Sequence, residues 1–295
     1  MFKELKAVLS ATKKELNNQK YKMSHQDLKY DKNSELVSNM MIKNFNLKGK
    51  RAVVLGGTGG VGIQVVYQLV DCGCSVVVVA RNKDKYDRLF SGFRDSVMFY
   101  QWDPLKDKDY DFKINDLIMT YGKFEIYINC MGIFTEKDKK NDWENVDEVD
   151  LIECFNANFF VHYLIETVVA NYYRKNTIKG RIINVTSITG LHPSYGMTPY
   201  GLSKAALIHF TKAMALTFAK DGIVVNGIAP GPIATSMGNV KENDSIFNSN
   251  TPNMRIALPE EIASTIIFLA SDMAANMNGE IIVSDGGESL RGHGI

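Results

Sequence analysis

From residue 48 onward the chain alternates short β-branched runs with longer segments of helical periodicity, and no other feature restricts the fold as much. Strands are expected at 51–55, 75–80, 97–100, 125–129, 180–186, 223–228 and 280–284. Amphipathic helices are expected between most of them, at 60–72, 148–174, 201–221 and 259–271. Parallel strands need crossover connections, which such helices supply, and near-continuous runs such as SVVVVA suit strands covered on both faces. The expected fold class is therefore α/β: a doubly wound parallel sheet (Rossmann fold) of about seven strands with helices on both faces.

Residues 1–47 differ from the rest. They are rich in Lys and Asn and place Phe2, Leu5, Leu9 and Leu16 at helical spacing, which reads as an extension of one helix plus a linker, packed on the domain or on a partner subunit. Glu4, Glu15 and the lack of arginine in this stretch argue against an organelle presequence. Residues 48–295 then form a single domain.

Net charge narrows the partners. With 34 basic against 33 acidic residues there is no overall field to attract nucleic acid or an anionic membrane. No apolar run is long enough to span a bilayer and no secretory pattern opens the chain, so the expected location is the cytoplasm. Cys72, Cys74, Cys130 and Cys154 lie in or beside apolar runs rather than at metal-ligand spacings and read as buried thiols. His162, His192 and His209 form no metal-like cluster.

The first strand is followed by Gly56-Gly57-Thr58-Gly59-Gly60-Val61-Gly62, leading into a helix. A dinucleotide pyrophosphate needs this arrangement, because glycines let the backbone approach the phosphates while the helix N-terminus offers free N–H groups and a favourable dipole. Two registers fit: G-x-G-x-x-G on Gly57, Gly59 and Gly62, or the wider spacing on Gly56, Gly60 and Gly62. The second strand ends in Ala80-Arg81-Asn82. An acid is missing where NAD would want one for its ribose, and a cation stands where a 2′-phosphate would sit, so NADP(H) is favoured over NAD(H). Arg81 as a solvated surface charge is the competing reading.

The densest chemical information is Ser187 and, thirteen residues on, Tyr200-Gly-Leu-Ser-Lys204. Tyr and Lys four apart share a helix face, so the ammonium lies near the phenol and favours its ionised form. Tyr200 is then a candidate general acid/base, with the Ser187 hydroxyl placed to hold the substrate oxygen.

Taken together these motifs resemble the short-chain dehydrogenase/reductase family in its single-domain Y-x-x-x-K form, over roughly residues 48 to 290. Gly56, Gly60 and Gly62 match the family's T-G-x-x-x-G-x-G loop, with Leu55 in place of the usual Thr, and the match selects the wider register. The resemblance implies that Asp103 touches the adenine, with Leu105 near the customary Val. Asn129-Cys130-Met131-Gly132 stands where the family has N-N-A-G, departing at two positions. In the helix containing Cys-Phe-Asn-Ala-Asn, Asn156 is matched to the family's catalytic asparagine, and Asn158 is the neighbouring competitor. Pro230, Gly231, Ile233 and Thr235 look like the loop that fixes the nicotinamide amide, and Asp285-Gly286-Gly287 like the closing turn.

The implied activity is NADP(H)-dependent interconversion of a secondary alcohol and a ketone. Asn156, Ser187, Tyr200 and Lys204 would form the catalytic set, acting on a small-molecule carbonyl or alcohol. By the same resemblance a homotetramer or homodimer is expected, formed through the Tyr200 helix and the one at 148–174. The family's enoyl reductases space Tyr and Lys more widely, which argues against that subclass. An inactive NADP-binding regulatory or scaffold protein is the alternative, though it has little reason to retain Ser187, Asn156, Tyr200 and Lys204 together. By resemblance, 236–256 forms the substrate lid. Ile133, Phe134, Tyr195 and Met237 are the apolar residues expected to line the pocket, and the helix 205–220 offers few arginines for an acidic carrier protein.

Overall fold

The computed structural model describes residues 45–135, 138, 143–237 and 251–290. The β-branched runs fold into strands β1 (Arg51–Leu55), β2 (Ser75–Ala80), β3 (Val97–Gln101), β4 (Ile126–Asn129), β5 (Arg181–Val185), β6 (Val224–Pro230) and β7 (Ile281–Ser284). They form one sheet in the order β3-β2-β1-β4-β5-β6-β7. Every pairing is parallel, with Val53 opposite Val77 on one side and Tyr127 on the other.

The helices are α1 (Gly60–Asp71), α2 (Lys83–Phe90), α3 (Tyr110–Tyr121), α4 (Glu148–Phe155), α5 (Val161–Lys175), α6 (Thr198–Phe218) and α7 (Pro259–Ala270). α1 and α7 pack together on one face of the sheet, and α3, α5 and α6 on the other. Because strand side chains alternate, Val53, Leu55, Val77, Val79 and Tyr127 all enter the core beneath α3, α5 and α6, where they meet Ile114, Ile165, Val169, Tyr173, Leu207 and Phe210. The doubly wound parallel sheet inferred from the alternation is the observed architecture.

Three local features depart from the sequence reading. α2 and α3 are not among the expected helices. α2 is polar and α3 buries Ile114 and Leu117 among polar and charged neighbours, and each begins at a side-chain cap, with Asn82 accepting from the Lys85 amide at 2.8 Å and Asp109 from the Phe112 amide at 3.1 Å. The helix expected over 148–174 is broken by a π-helical stretch, Asn156–Phe160, between α4 and α5. Finally, packing on the domain begins before residue 48. Leu47 is fully buried and Asn46 donates to the Asp272 carboxylate, whereas Phe2, Leu5, Leu9 and Leu16 lie outside the described residues.

The sheet order reverses between β1 and β4, since β1 connects outward to β2 while β4 starts the march in the other direction. In open α/β sheets the carboxyl ends of the strands at such a point frame a crevice, and ligands bind there. Among the described residues no helix is long and apolar enough to cross a membrane.

Candidate active site

Two loops meet at that crevice. The glycine run leaves β1 at Gly56, whose φ of 77° is a backbone conformation that glycine adopts without penalty. A Cβ on Gly56 would lie 3.0 Å from the Met131 nitrogen, so this turn lies directly against the loop after β4. At Gly62 a Cβ would run into the Gly56 carbonyl oxygen. The first turn of α1 can therefore fold back over the loop only with glycine there. The amides of Gly60, Val61 and Gly62 open α1 and have no partner within the helix, and no acidic side chain occupies its first turn.

These features fit a dinucleotide: a cradle too tight for side chains, with free N–H groups at a positive helix end. Thr235 closes it from above, because a Cβ on Gly60 would sit 2.6 Å from its Cγ2. Behind Thr235, the Ile233 backbone pairs with Ala257, and Gly231 takes its hydrogen bond from β7, donating to the Ser284 carbonyl at 3.1 Å. The segment Pro230–Thr235 is thereby anchored on both sides.

At the end of β2 the Arg81 side chain is 72% exposed, and its guanidinium lies 3.9 Å from the Asp103 carboxylate. Asp103 in turn accepts from the Leu105 amide at 3.2 Å. Arg81 and Asp103 thus lie together beyond the carboxyl end of β2, with the Arg81 side chain largely exposed. Asn82 differs from expectation: its side-chain oxygen is engaged in capping α2, which leaves Arg81 as the polar group of this pair facing outward.

The chemical residues assemble at the other end. α6 starts with Pro199, a residue suited to a first helical turn, and presents Tyr200 and Lys204 on its buried side; both are nearly inaccessible to solvent. The Lys204 ammonium lies 5.7 Å from the Tyr200 ring centroid and donates to the Val185 carbonyl at 2.9 Å. Ser187 follows two residues later. Its Oγ accepts from the Thr189 hydroxyl at 2.9 Å and the Thr189 amide at 3.2 Å, so its own proton is left to point toward Tyr200. Ser187 from the end of β5 and Tyr200 and Lys204 from α6 are thus brought to one place.

Electrostatics in this form of the protein differ from the sequence expectation. Burial pushes the Tyr200 phenol above its ordinary value, and the Ser187 hydroxyl beside it only partly opposes the rise. Burial also lowers the Lys204 ammonium to about 8, so the pair lies in a site that disfavours charge.

Asn156 is a correction. It does not approach Tyr200 but lines a separate apolar groove with Leu105, Val149, Ile152, Phe160 and Leu164. Asn158 is the asparagine at the site. Fully buried, it accepts from the Ile133 amide at 2.8 Å and donates to the Ile133 carbonyl at 3.0 Å and to Ser203 Oγ at 3.1 Å. The physical reason is angular: residues two apart on a helix point about 200° apart, so only one of the two faces the strand ends. A Cβ on Gly132 would lie 3.2 Å from Asn158 Oδ1 and 3.3 Å from Lys204 Nζ, which places the loop after β4 in contact with both.

Asn129 is a second correction. Its side chain is wholly buried, donating to Asn184 Oδ1 at 3.1 Å and accepting from the Met131 amide at 3.1 Å. It shapes the loop from beneath and does not face the crevice.

The Phe134 ring, one of the residues expected to line the pocket, packs on Tyr200 with centroids 4.2 Å apart. A further neighbour has no signal in the sequence. Asp138, nearly inaccessible, accepts from the Thr135 amide and hydroxyl at 3.0 and 2.7 Å and from the Tyr200 amide at 3.4 Å. Its carboxylate thus caps the first turn of α6. Of the expected lid, 238–250 lies outside the described residues, while Tyr195 and Met237 are exposed.

A family model described as "Enoyl-(Acyl carrier protein) reductase" matches residues 56–289. An acetoacetyl-CoA reductase from Acinetobacter sp. is 32% identical over 246 residues, spanning 81% of this chain and 97% of that protein. A 3-oxoacyl-(acyl-carrier-protein) reductase from Rickettsia conorii is 31% identical over 250 residues, spanning 82% and 98%. Among solved structures, a gluconate 5-dehydrogenase from Burkholderia cenocepacia, in complex with NADP and tartrate, superposes with a TM-score of 0.78. It shares 25% identity and covers 85% of this chain and 99% of its own.

Proposed function

The chain belongs to the short-chain dehydrogenase/reductase family, and from that premise we propose that it is an NADP(H)-dependent reductase of ketones, using Tyr200 to move the proton. As a member it is an oxidoreductase of the ketone/alcohol couple. The observation that carries the finer reading is the convergence of Tyr200, Lys204 and Ser187 beside the glycine-lined crevice.

A bound nicotinamide supplies hydride for carbonyl reduction and accepts it in the reverse direction. The Gly56–Gly62 loop and the first amides of α1 would hold the pyrophosphate, Arg81 the 2′-phosphate, and Ile233 and Thr235 the amide end. Ser187 donates a hydrogen bond to the substrate oxygen and polarises the carbonyl. Tyr200 gives its phenolic proton to that oxygen as negative charge develops there, and takes it back in the oxidative direction. Lys204 stabilises the phenolate left behind, and burial of the pair strengthens that interaction. Asn158, not Asn156, holds the backbone of Ile133 and so fixes the wall of the site opposite Ser203.

The family model's description favours a second reading, reduction of an enoyl thioester. Tyr200 and Lys204 lie one helical turn apart with Ser187 beside the phenol, a set suited to an oxygen that gains a proton, which supports the ketone reading. The curated relatives act on 3-oxoacyl thioesters, and that class heads the substrate panel. NADPH oxidation is measured with acetoacetyl-CoA, simple ketones and a matching enoyl thioester, with NADH in parallel. Ketone-dependent oxidation of NADPH supports the reading, and turnover of the enoyl substrate alone overturns it.

A homodimer or homotetramer is supported by the apolar side chains that α4, α5 and the π-helical stretch expose, among them Val149, Ile152, Phe160 and Leu164. Light scattering at the mass of a single chain would contradict it.

A further inference from the structure

Directly beneath the two backbone segments that carry the site, a carboxyl group is buried without a cation among its hydrogen-bond partners. Glu166 lies on α5 two turns beyond Asn158 and is wholly inaccessible to solvent. One carboxyl oxygen accepts from Asn184 Nδ2 at 3.0 Å and the other from Asn129 Nδ2 at 3.4 Å. The two asparagines bond to each other at 3.1 Å, which closes a triangle across the ends of β4 and β5. The second proton on Asn184 Nδ2 goes to Thr211 Oγ1 at 3.0 Å, and Thr211 donates to the Leu207 carbonyl at 2.8 Å.

Both upper corners of this triangle lead into the site. Asn129 accepts from the Met131 amide, and one residue later Gly132 lies against Lys204 Nζ and Asn158 Oδ1. Asn184 is followed by Val185, whose carbonyl holds Lys204, and then by Ser187. With Asn129 Oδ1 committed to the Met131 amide, the amide cannot flip, so its NH₂ must find acceptors below it. Glu166 and Asn184 are the two that it finds.

We propose that Glu166 is a positioning residue for the reaction. Through the Asn129–Asn184 pair it fixes the loop 130–132 against Lys204 and Asn158, and so sets the wall on which the nicotinamide half of the cofactor rests. This rests on the reading of the site as a nicotinamide-dependent one. Burial also pushes the Glu166 carboxyl up to about 8, and the hydrogen bonds from Asn184 and Asn129 oppose that rise.

Glu166→Gln keeps shape and volume but turns an NH₂ toward one of the two asparagine donors, and Asn129, at the longer distance, is the bond lost. Thr211→Val removes a hydrogen bond from the same network without touching the loop and serves as the comparison. The test measures hydrogen exchange of the amides at 130–133 in the unliganded protein, NADPH affinity by fluorescence, and thermal stability.

The expected result is faster exchange at 130–133 and roughly tenfold weaker NADPH binding in Glu166→Gln, with neither change in Thr211→Val at a comparable loss of melting temperature. Unchanged exchange at 130–133, or equal effects in both variants, overturns the proposal. Should Glu166→Gln not fold, Glu166→Asp withdraws the carboxyl by one methylene and carries the same expectation. If the unaltered protein binds no NADPH, the functional reading fails, while the exchange comparison still decides the role of Glu166.

Discussion

Lys204 holds its ammonium 5.7 Å from the centroid of the Tyr200 ring while donating to the Val185 carbonyl, so one side chain ties the end of β5 to the Tyr200 phenol. It is nearly inaccessible and lies where burial disfavours its charge. Removing it takes away the only side-chain cation that the described residues place beside the phenol. Lys204→Met is expected to lower kcat about 10²- to 10³-fold and to weaken NADPH binding as well, checked by steady-state kinetics and fluorescence titration. Near-normal turnover in that variant would separate the ammonium from the chemistry.

The two asparagines of the π-helical stretch give a sharp contrast. Asn158→Ala strands the Ile133 amide and carbonyl and is expected to cost roughly 1–3 kcal/mol of stability and at least about tenfold in turnover. Asn156→Ala alters only the rim of an apolar groove and is expected to stay close to the unaltered enzyme in turnover. Thermal melts and kinetics on both variants check this, and the reverse pattern would restore the sequence assignment.

Under the proposed function, the preference for NADPH rests on Arg81. Its guanidinium is exposed and only loosely paired with Asp103, so a 2′-phosphate gains a charge-assisted contact at little cost. Arg81→Ala is expected to raise KM for NADPH roughly tenfold and leave KM for NADH within about twofold. Comparing the two cofactors in the same assay tests it, and an equal effect on both would return Arg81 to the solvated surface.

Stability should depend on pH through groups buried under the site. The Glu166 carboxyl is raised from 4.5 to about 8, so between those values the folded chain holds a proton that the unfolded chain releases, and stability falls as pH rises. His162, one turn earlier on α5, is lowered from 6.5 to about 3 and acts in the opposite sense up to pH 6.5. Lys204, lowered to about 8, changes its contribution only above that value, and Tyr127, the other titratable group facing Glu166, is raised above 10. The window from 6.5 to 8 therefore isolates Glu166. The melting temperature is expected to drop by roughly 3–5 °C across it, and the drop should vanish in Glu166→Gln. Calorimetry at the two pH values decides, and an identical slope in both proteins would remove Glu166 as its source.

The central strands β1 and β2 were legible because burial on both faces leaves a direct mark, near-continuous Val. The glycine loop was legible because steric demand admits no substitute, as Gly62 shows. α2 and α3 were not: α2 is polar and held by its cap at Asn82, and α3 buries only Ile114 and Leu117 among polar and charged residues behind its cap at Asp109. Nor was the choice between Asn156 and Asn158, because periodicity across a π-helical stretch does not say which side faces the strand ends. The motif marks Asn129, whereas the direction of its side chain depends on Glu166 and Asn184, partners 37 and 55 residues away. Contacts of that range leave no local signal in sequence.

The central claim is that the phenolic oxygen of Tyr200 carries the proton in ketone reduction. Its most direct measurement is turnover and NADPH affinity of Tyr200→Phe on whichever ketone the panel identifies. The account predicts NADPH affinity within about twofold of the unaltered protein and a loss of kcat of about 10²- to 10⁴-fold. A variant that binds NADPH and still reduces the ketone at a comparable rate would contradict it.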